Sequence, residues 1–188
     1  MMKKMRGFTL IELLIVVAII GILAALLIPN ALEAIQKAKQ KSSMKEIMSM
    51  STAAADYITD HGDWSLVAQD GQLTSSTDPF PANVATFYLK VCPINDPWNT
   101  GYYVHVGESA VEAAMSGADA ADIGSDDFVV LSWGRNKAAG PLQASSYNTA
   151  TPEAGFYNVS RMADFDNDLV CWNGNWVVGP RTSLVSGS

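Results

Sequence analysis

The sequence predicts an α+β protein in which a long N-terminal α-helix packs on a small, mainly antiparallel sheet. From Phe8 to Asp60, helix-forming and apolar residues follow one another with few turn-forming residues between them. From about Asp63 onward, short apolar runs alternate with glycine, proline and asparagine, a pattern typical of short strands joined by turns. One long helix followed by several short strands indicates the α+β class.

The first element is the apolar run Phe8–Ile28, which is 21 residues long and uncharged after Glu12. A helix of this length rises about 30 Å, which is the thickness of the hydrocarbon core of a bilayer. The run follows basic residues, as in a secretory signal, but it is longer than the apolar part of such signals and has no small-residue cleavage site after it. We therefore expect a membrane span that is retained in the mature protein.

The second element is an amphipathic helix over residues 30–61, which continues the first helix beyond Pro29. We expect a kink at Pro29, because proline lacks an amide hydrogen and crowds the preceding helical turn. Further along, apolar residues recur at three- and four-residue steps, which predicts one face that packs on the head. This stripe consists of Met44, Ile47, Met48, Ala54, Ala55 and Ile58. The turn-forming residues at 61–63 are expected to end the helix.

The head, residues 62–188, is expected to hold short strands, one surface helix and one long loop. The candidate strands are Thr86–Val91, Gly101–Val106, Asp127–Trp133 and Asp168–Val178, and the candidate helix is Glu108–Ala121. Asn173-Gly174 lies between apolar runs within the last strand, which predicts a hairpin with a type I′ turn. Lys137 to Asn158 is rich in small and turn-forming residues, which predicts a long exposed loop.

The motifs of common enzyme classes do not occur in this sequence. It contains no nucleophile elbow, phosphate-binding loop, zinc motif or dinucleotide-binding fingerprint. His61 and His105 are isolated in the sequence, and we interpret both as ordinary surface or packed histidines. The net charge of -7 argues against nucleic-acid binding, because proteins that bind phosphate backbones are usually basic. We therefore predict no catalytic residues, no enzyme activity and no nucleic-acid partner.

The string RGFTLIE, residues 6–12, resembles the processing site of prepilins, the precursors of type IV pilins and type II secretion pseudopilins. In that family a short basic leader ends in glycine, and a glutamate follows shortly after the cut, ahead of the apolar helix. The resemblance implies a leader over residues 1–7, a cut between Gly7 and Phe8 by a prepilin peptidase, and N-methylation of Phe8. It also implies the pilin fold.

The resemblance further implies that the protein is a structural subunit of a type II secretion pseudopilus or a type IV pilus. Residues 8–29 would anchor the subunit in the inner membrane, with the head outside the cytoplasm, and would then form the core of a helical filament. The filament would lie in the periplasm as a pseudopilus or outside the cell as a pilus. The implied partners are other copies of the chain, other pilin-like subunits, the inner-membrane assembly platform, and membrane lipid before assembly.

Glu12 has a specific assembly role in this interpretation. A carboxylate within a membrane span is unfavourable, and less so near the edge of the span. In the filament, the Glu12 carboxylate would meet the N-terminal amine of a neighbouring subunit and would favour one stagger between apolar helices. The alternative is a single-span, membrane-tethered binding module that does not polymerise. An N-methylated Phe8 at the mature N-terminus would support the filament subunit, and an uncut Met1 would support the alternative.

Two segments of the head resemble major pseudopilins more closely than conventional pilus subunits. Asp96-Pro97-Trp98 leads into a candidate strand, as a similar stretch does in that group. Leu131-Ser132-Trp133-Gly134 resembles the strand and loop that follow. These segments favour a pseudopilin-like subunit.

The acidic stretch 164–168 begins like an EF-hand loop, but Leu169 and Asn175 replace the glycine and the glutamate that this motif requires. Major pseudopilins bind calcium in a loop near this point. The resemblance places four side chains of this chain there: Asn136, Asp164, Asp166 and Asp168. Arg135-Asn136 stands where an acid is usual, so a calcium site and a solvated acidic turn are both open interpretations.

Cys92 and Cys171 are the two cysteines of the sequence. Neither lies in a CxxC pair or at the spacing of metal ligands. Because the head is expected to face an oxidising compartment, we predict a disulfide between them. Two buried, reduced cysteines are the alternative.

Overall fold

The structure is a computed structural model in which residues 8–181 are described. Its longest element is helix α1, Leu10–His61, which starts two residues after Phe8 and ends at His61, the predicted end of the second helical element. Pro29 lies inside this helix, which continues through it, while the predicted kink stays a prediction. The chain divides into two compact units between Gln36 and Lys37.

The first unit, as far as it is described, is the helical segment up to Gln36. No residue from Phe8 to Gln36 is buried, although most of the residues before Pro29 are large and apolar. Among residues 8–181, α1 is the one helix long and apolar enough to cross a membrane. The apolar surface of this segment therefore has no packing partner within its own unit.

The second unit combines the remainder of α1 with the head. Its other helices are α2, Pro79–Val84, and α3, Glu108–Ala114. Its strands are β1, Asp70–Gln72; β2, Tyr103–Val106; β3, Phe128–Ser132; β4, Phe156–Tyr157; β5, Leu169–Trp172; and β6, Asn175–Pro180. They form a six-stranded sheet in the order β1-β2-β3-β5-β6-β4, in which β4 and β6 are parallel and all other pairs are antiparallel. The predicted α+β class is confirmed, and the arrangement is consistent with the pilin fold.

Strand β3 lies in the middle of the sheet, and all five of its residues are buried. Val130 pairs with Val104 on one side and with Cys171 on the other, and all three lie in the core shared with α1. Val129 and Leu131 point to the opposite face, where they pack with Val111 and Met115, residues at and just after α3. Both faces of the sheet are therefore covered, so the first four residues of β3 are all apolar instead of alternating with polar ones, and only the last, Ser132, is polar.

The buried face of α1 differs in part from the predicted stripe. Ile47 and Ala54 are buried as predicted, but Ala55 is exposed. The buried face also contains polar residues that the apolar pattern could not indicate, among them Gln40, Ser43 and Ser51. Two of them make hydrogen bonds to tyrosines of the head: Gln40 Nε2 donates to Tyr157 Oη at 3.1 Å, and Ser43 Oγ accepts from Tyr102 Oη at 3.2 Å.

The predicted strand Thr86–Val91 is wrong. Helix α2 ends just before it, and Thr86 has a φ of 80°, which is a left-handed conformation incompatible with an extended strand. The Thr86 amide donates to the carbonyl of Leu89 at 2.7 Å, so the segment closes on itself as a tight loop.

The turn predictions that rest on local chemistry are confirmed. Gly62, with φ of 63°, follows α1 and donates its amide to the carbonyl of Ile58 at 2.8 Å, as in a left-handed helix cap. Asn173 and Gly174 join β5 and β6 with φ of 47° and 79°, the two positive values that a type I′ turn requires. The predicted surface helix is shorter than expected and ends at Ala114. The predicted long loop contains β4 and two short 3-10 turns.

Candidate functional site

Helix α1 begins with reciprocal hydrogen bonds between Thr9 and Glu12. The backbone amide and the hydroxyl of Thr9 both donate to Glu12 Oε2, at 2.9 and 2.6 Å. The backbone amide of Glu12 donates to Thr9 Oγ1 at 3.3 Å. This arrangement is a capping box, in which the residue before the helix and its third residue satisfy amides that have no partner within the helix. The Glu12 carboxylate is thereby held at the positive end of the helix dipole.

The capping box stands at the start of a wide apolar surface. Phe8 is 77% exposed, and the residues that follow Glu12 expose large aliphatic side chains on every side of the helix. Gly7 and the rest of the leader lie outside the described residues, so cleavage after Gly7 and methylation of Phe8 stay predictions. The geometry combines one oriented carboxylate with a helix that offers apolar contacts in all directions.

Thr9 is the residue of this site that the sequence interpretation missed. Its signal was available, because threonine followed three residues later by glutamate, just before an apolar run, is the pattern of a capping box.

Asp96 connects the two head segments that resemble major pseudopilins. It is 4% exposed, and its Oδ1 accepts from the amides of Trp98 and Thr100 at 3.0 and 2.9 Å. Its Oδ2 accepts from the hydroxyl of Ser132, at the end of β3, at 2.7 Å. A buried carboxylate with three donors is satisfied, so this residue holds the turn after residue 95 against the central strand.

The acidic turn forms a second cluster of polar side chains. Asp166 accepts a two-pronged hydrogen bond from Arg135, Nε to Oδ1 at 2.8 Å and Nη2 to Oδ2 at 2.9 Å. Asp164 Oδ2 accepts from the amides of Ser160 and Arg161, both at 2.7 Å. These bonds, the one from the Ser160 amide first, lower the pKa of Asp164 below its ordinary value.

Asp168 and Asn136 have different surroundings within the same region. Asp168 is 2% exposed and accepts from the amide of Gly140 at 2.8 Å, and burial raises its pKa to about 7. Asn136 Oδ1 accepts from the amide of Ala138, two residues along the chain, at 3.1 Å.

Comparison with known proteins identifies the family. The prokaryotic N-terminal methylation motif matches residues 2–28. The type II secretion system core protein G of Escherichia coli is 30% identical over 139 residues, which cover 71% of this chain and 94% of that protein. This chain belongs to the core protein G family.

Two further relatives, a second core protein G and a fimbrial protein, are also similar to this chain. The protein from Vibrio cholerae is 36% identical over 126 residues, which cover 63% of this chain and 86% of that protein. A fimbrial protein of Neisseria meningitidis is 37% identical over 73 residues, 39% of this chain and 43% of its own length. No solved structure matches the chain.

Each of the four predicted calcium ligands of this core protein G relative already accepts a hydrogen bond from another group of the chain. Asp166 is neutralised by Arg135, Asp164 closes a local turn, and Asn136 caps its own backbone. In the part of the chain that is described, no three histidine, cysteine or acidic side chains gather as a metal group. Calcium in proteins takes six to eight oxygen ligands, and the four side chains do not fit such a set.

The predicted disulfide is not formed, which corrects the expectation. Cys92 and Cys171 are both free and buried. Burial raises the pKa of Cys92 to about 12 and also raises that of Cys171, where Ser51 and the Gly174 amide oppose the shift. Both residues lie in the core between α1 and the sheet, where free cysteine packs as a small apolar side chain. The thiolate that would attack a disulfide is disfavoured at both positions.

Proposed function

We propose that the chain is a structural subunit of a type II secretion pseudopilus, without catalytic activity, that assembles through α1. The observation that supports this proposal most directly is the exposed apolar surface up to Gln36, with the oriented carboxylate of Glu12 at its start. The similarity to core protein G proteins favours the pseudopilus over a type IV pilus. The shorter match to a fimbrial protein keeps the pilus as the second candidate.

Before assembly, the apolar segment lies in the inner membrane with the head outside the cytoplasm. Lipid then covers the side chains that the unit itself leaves exposed. In the filament, the same side chains pack against the α1 helices of neighbouring subunits. Lipid and neighbouring helices are similarly apolar, so packing and polar contacts must supply the specificity of assembly.

Glu12 supplies such a contact. The prepilin peptidase cuts after Gly7 and leaves a positively charged amine at Phe8, which it then methylates. The intrachain bonds from Thr9 end on Glu12 Oε2, and a carboxylate has acceptor sites on both oxygens. Glu12 can therefore keep its cap while it accepts the amine of a neighbouring subunit. A neighbour in the wrong stagger would leave a buried charge unpaired, at a cost of about 3–5 kcal/mol.

The partners follow from these steps. They are the prepilin peptidase, membrane lipid, the inner-membrane assembly platform, further copies of this chain and other pilin-like subunits. The finished filament lies in the periplasm.

N-terminal sequencing and mass spectrometry of the protein from membranes and from sheared filaments test the proposal. We expect a chain that begins with N-methyl-Phe8 in both fractions. A chain that begins with Met1 and never appears in the sheared fraction would instead identify a tethered, non-polymerising module.

A further inference from the structure

Arg135 connects two segments that lie far apart in the sequence. It follows Gly134 just beyond β3, and its partner Asp166 lies in the acidic turn before β5, 31 residues further on. Both side chains are largely shielded, at 34% and 24% exposure. A two-pronged bond between guanidinium and carboxylate is among the stronger polar contacts in proteins.

The backbones of the two segments also touch. The amide of Arg135 donates to the carbonyl of Phe165 at 2.9 Å, and the amide of Asp168 donates to the carbonyl of Leu142 at 3.0 Å. A Cβ at Gly134 would lie 2.7 Å from the carbonyl oxygen of Phe165, so a larger residue would push the segments apart. The Arg135 guanidinium therefore lies where the two segments meet, and hydrogen bonds between their backbones hold them together.

We propose that the guanidinium of Arg135 supplies the positive charge that pairs with this acidic turn, in place of a bound metal ion. The folded head therefore does not depend on calcium. A divalent cation needs several oxygen ligands, whereas both oxygens of Asp166 already accept from Arg135. A fixed positive charge at this position also repels a second cation. The inference concerns the folding of the head and does not rest on the filament role.

The planar fork of arginine is essential to this arrangement. Arginine presents two parallel N–H donors that match the two oxygens of a carboxylate, while lysine offers a compact point charge. Arg135→Lys should therefore keep the positive charge between the two segments but make a weaker hydrogen bond to Asp166.

Thermal unfolding of the full-length protein in detergent, followed by near-ultraviolet circular dichroism, tests the proposal. The unmodified chain should have the same Tm in millimolar calcium and in chelator. Arg135→Gln and Asp166→Asn should each lower the Tm in chelator by about 5 °C, the shift expected for the loss of charge-assisted bonds in a chain of this size. Arg135→Lys should lower the Tm by less. If Arg135→Gln does not fold, the Tm of Arg135→Lys still tests the proposal.

Glu153→Gln is the matched control, because it removes one partner of the exposed Arg181–Glu153 pair, whose charged atoms are 3.6 Å apart. It should change the Tm by about 1 °C or less. A Tm of the unmodified chain that rises with calcium would overturn the proposal. So would a Tm equal to that of the parent for both Arg135→Gln and Asp166→Asn.

Discussion

The two units of this chain use apolar residues in opposite ways. In the first, aliphatic residues such as Ile20 and Leu23 are 59% and 62% exposed on the helix surface. In the second, Ile47 and Met50 of the same helix are fully buried against the head. Both groups of residues belong to the single helix α1, yet only its second part finds packing partners within its own unit.

This contrast separates folding from assembly. The head and the second part of α1 have a complete core, so their stability should depend on residues such as Ile47. The first part leaves its apolar surface for lipid and, as we propose, for neighbouring subunits. Substitutions in the two regions should therefore affect different measurements.

The largest expected effect is on assembly, from Glu12→Val. This variant should insert into the membrane and be cut after Gly7, but it should be nearly absent from sheared filaments, because the amine of a neighbour would lose its partner. N-methylation is also expected to fall. Fractionation, N-terminal sequencing and a sheared-filament assay give the three readings. A normal yield of filaments from Glu12→Val would contradict an assembly role for Glu12.

Glu12→Gln is the matched control for that experiment. Glutamine can keep the capping box with Thr9 but carries no charge. We expect it to assemble as poorly as Glu12→Val. If it instead forms filaments normally, Glu12 acts as a helix cap and not as a charge partner.

The second prediction compares one isoleucine-to-alanine substitution in each unit by its effect on the stability of the head. Ile47→Ala should destabilise the head by about 2–5 kcal/mol, because it removes buried methyl groups and leaves a cavity. Ile20→Ala, at an exposed position of the same helix, should leave the thermal unfolding of the head unchanged. Equal shifts in Tm for the two variants would contradict the separation of folding from assembly.

The third prediction concerns alkaline pH and the buried thiol of Cys92. Its pKa is about 12 in the folded chain, against about 8.5 for an ordinary thiol in the unfolded chain. Because the folded pKa is the higher one, this group's contribution to stability is complete below about pH 8.5 and is lost as the pH rises to about 12. Cys92→Ala should therefore flatten the fall in stability over this window, as measured by denaturant unfolding at several pH values.

The thiol state can be checked before that titration. Mass spectrometry without reductant should show that both Cys92 and Cys171 react with an alkylating reagent after unfolding. A mass two hydrogens lower, with no alkylation, would show a disulfide and would contradict the structure.

The smallest effect is expected at Thr86, on the surface of the head. A branched residue at φ of 80° is strained, and glycine adopts this conformation without a steric cost. Thr86→Gly should therefore stabilise the head by about 1 kcal/mol in denaturant unfolding. Thr59→Gly, on the exposed face of α1, is the control and should destabilise by about 0.5 kcal/mol or less. Destabilisation by both variants would show that Thr86 is not strained.

Predictions from sequence succeeded where the decisive contacts are local. The limits of α1, its glycine cap at Gly62 and the turn at Asn173-Gly174 all depend on residues within about four positions of one another. The segment Thr86–Val91 was misassigned because its β-forming composition is overridden by the loop that Thr86 closes with Leu89. Ala55 lies outside the buried face, which in this part of the helix includes Ser51, Ala54 and Tyr57, and a pattern of apolar residues cannot indicate a buried serine.

The sequence by itself determined the α+β class, the apolar helix long enough to span a membrane and the N-terminal methylation motif, because periodicity and short motifs record them directly. Only the tertiary structure decided that Arg135 pairs with Asp166, that Asp96 accepts from Ser132 and that the two cysteines stay free. The partners in these pairs lie more than 30 residues apart. Which distant residues meet depends on the order and register of the strands, and the free energy of that packing is spread over the whole core instead of residing in one motif.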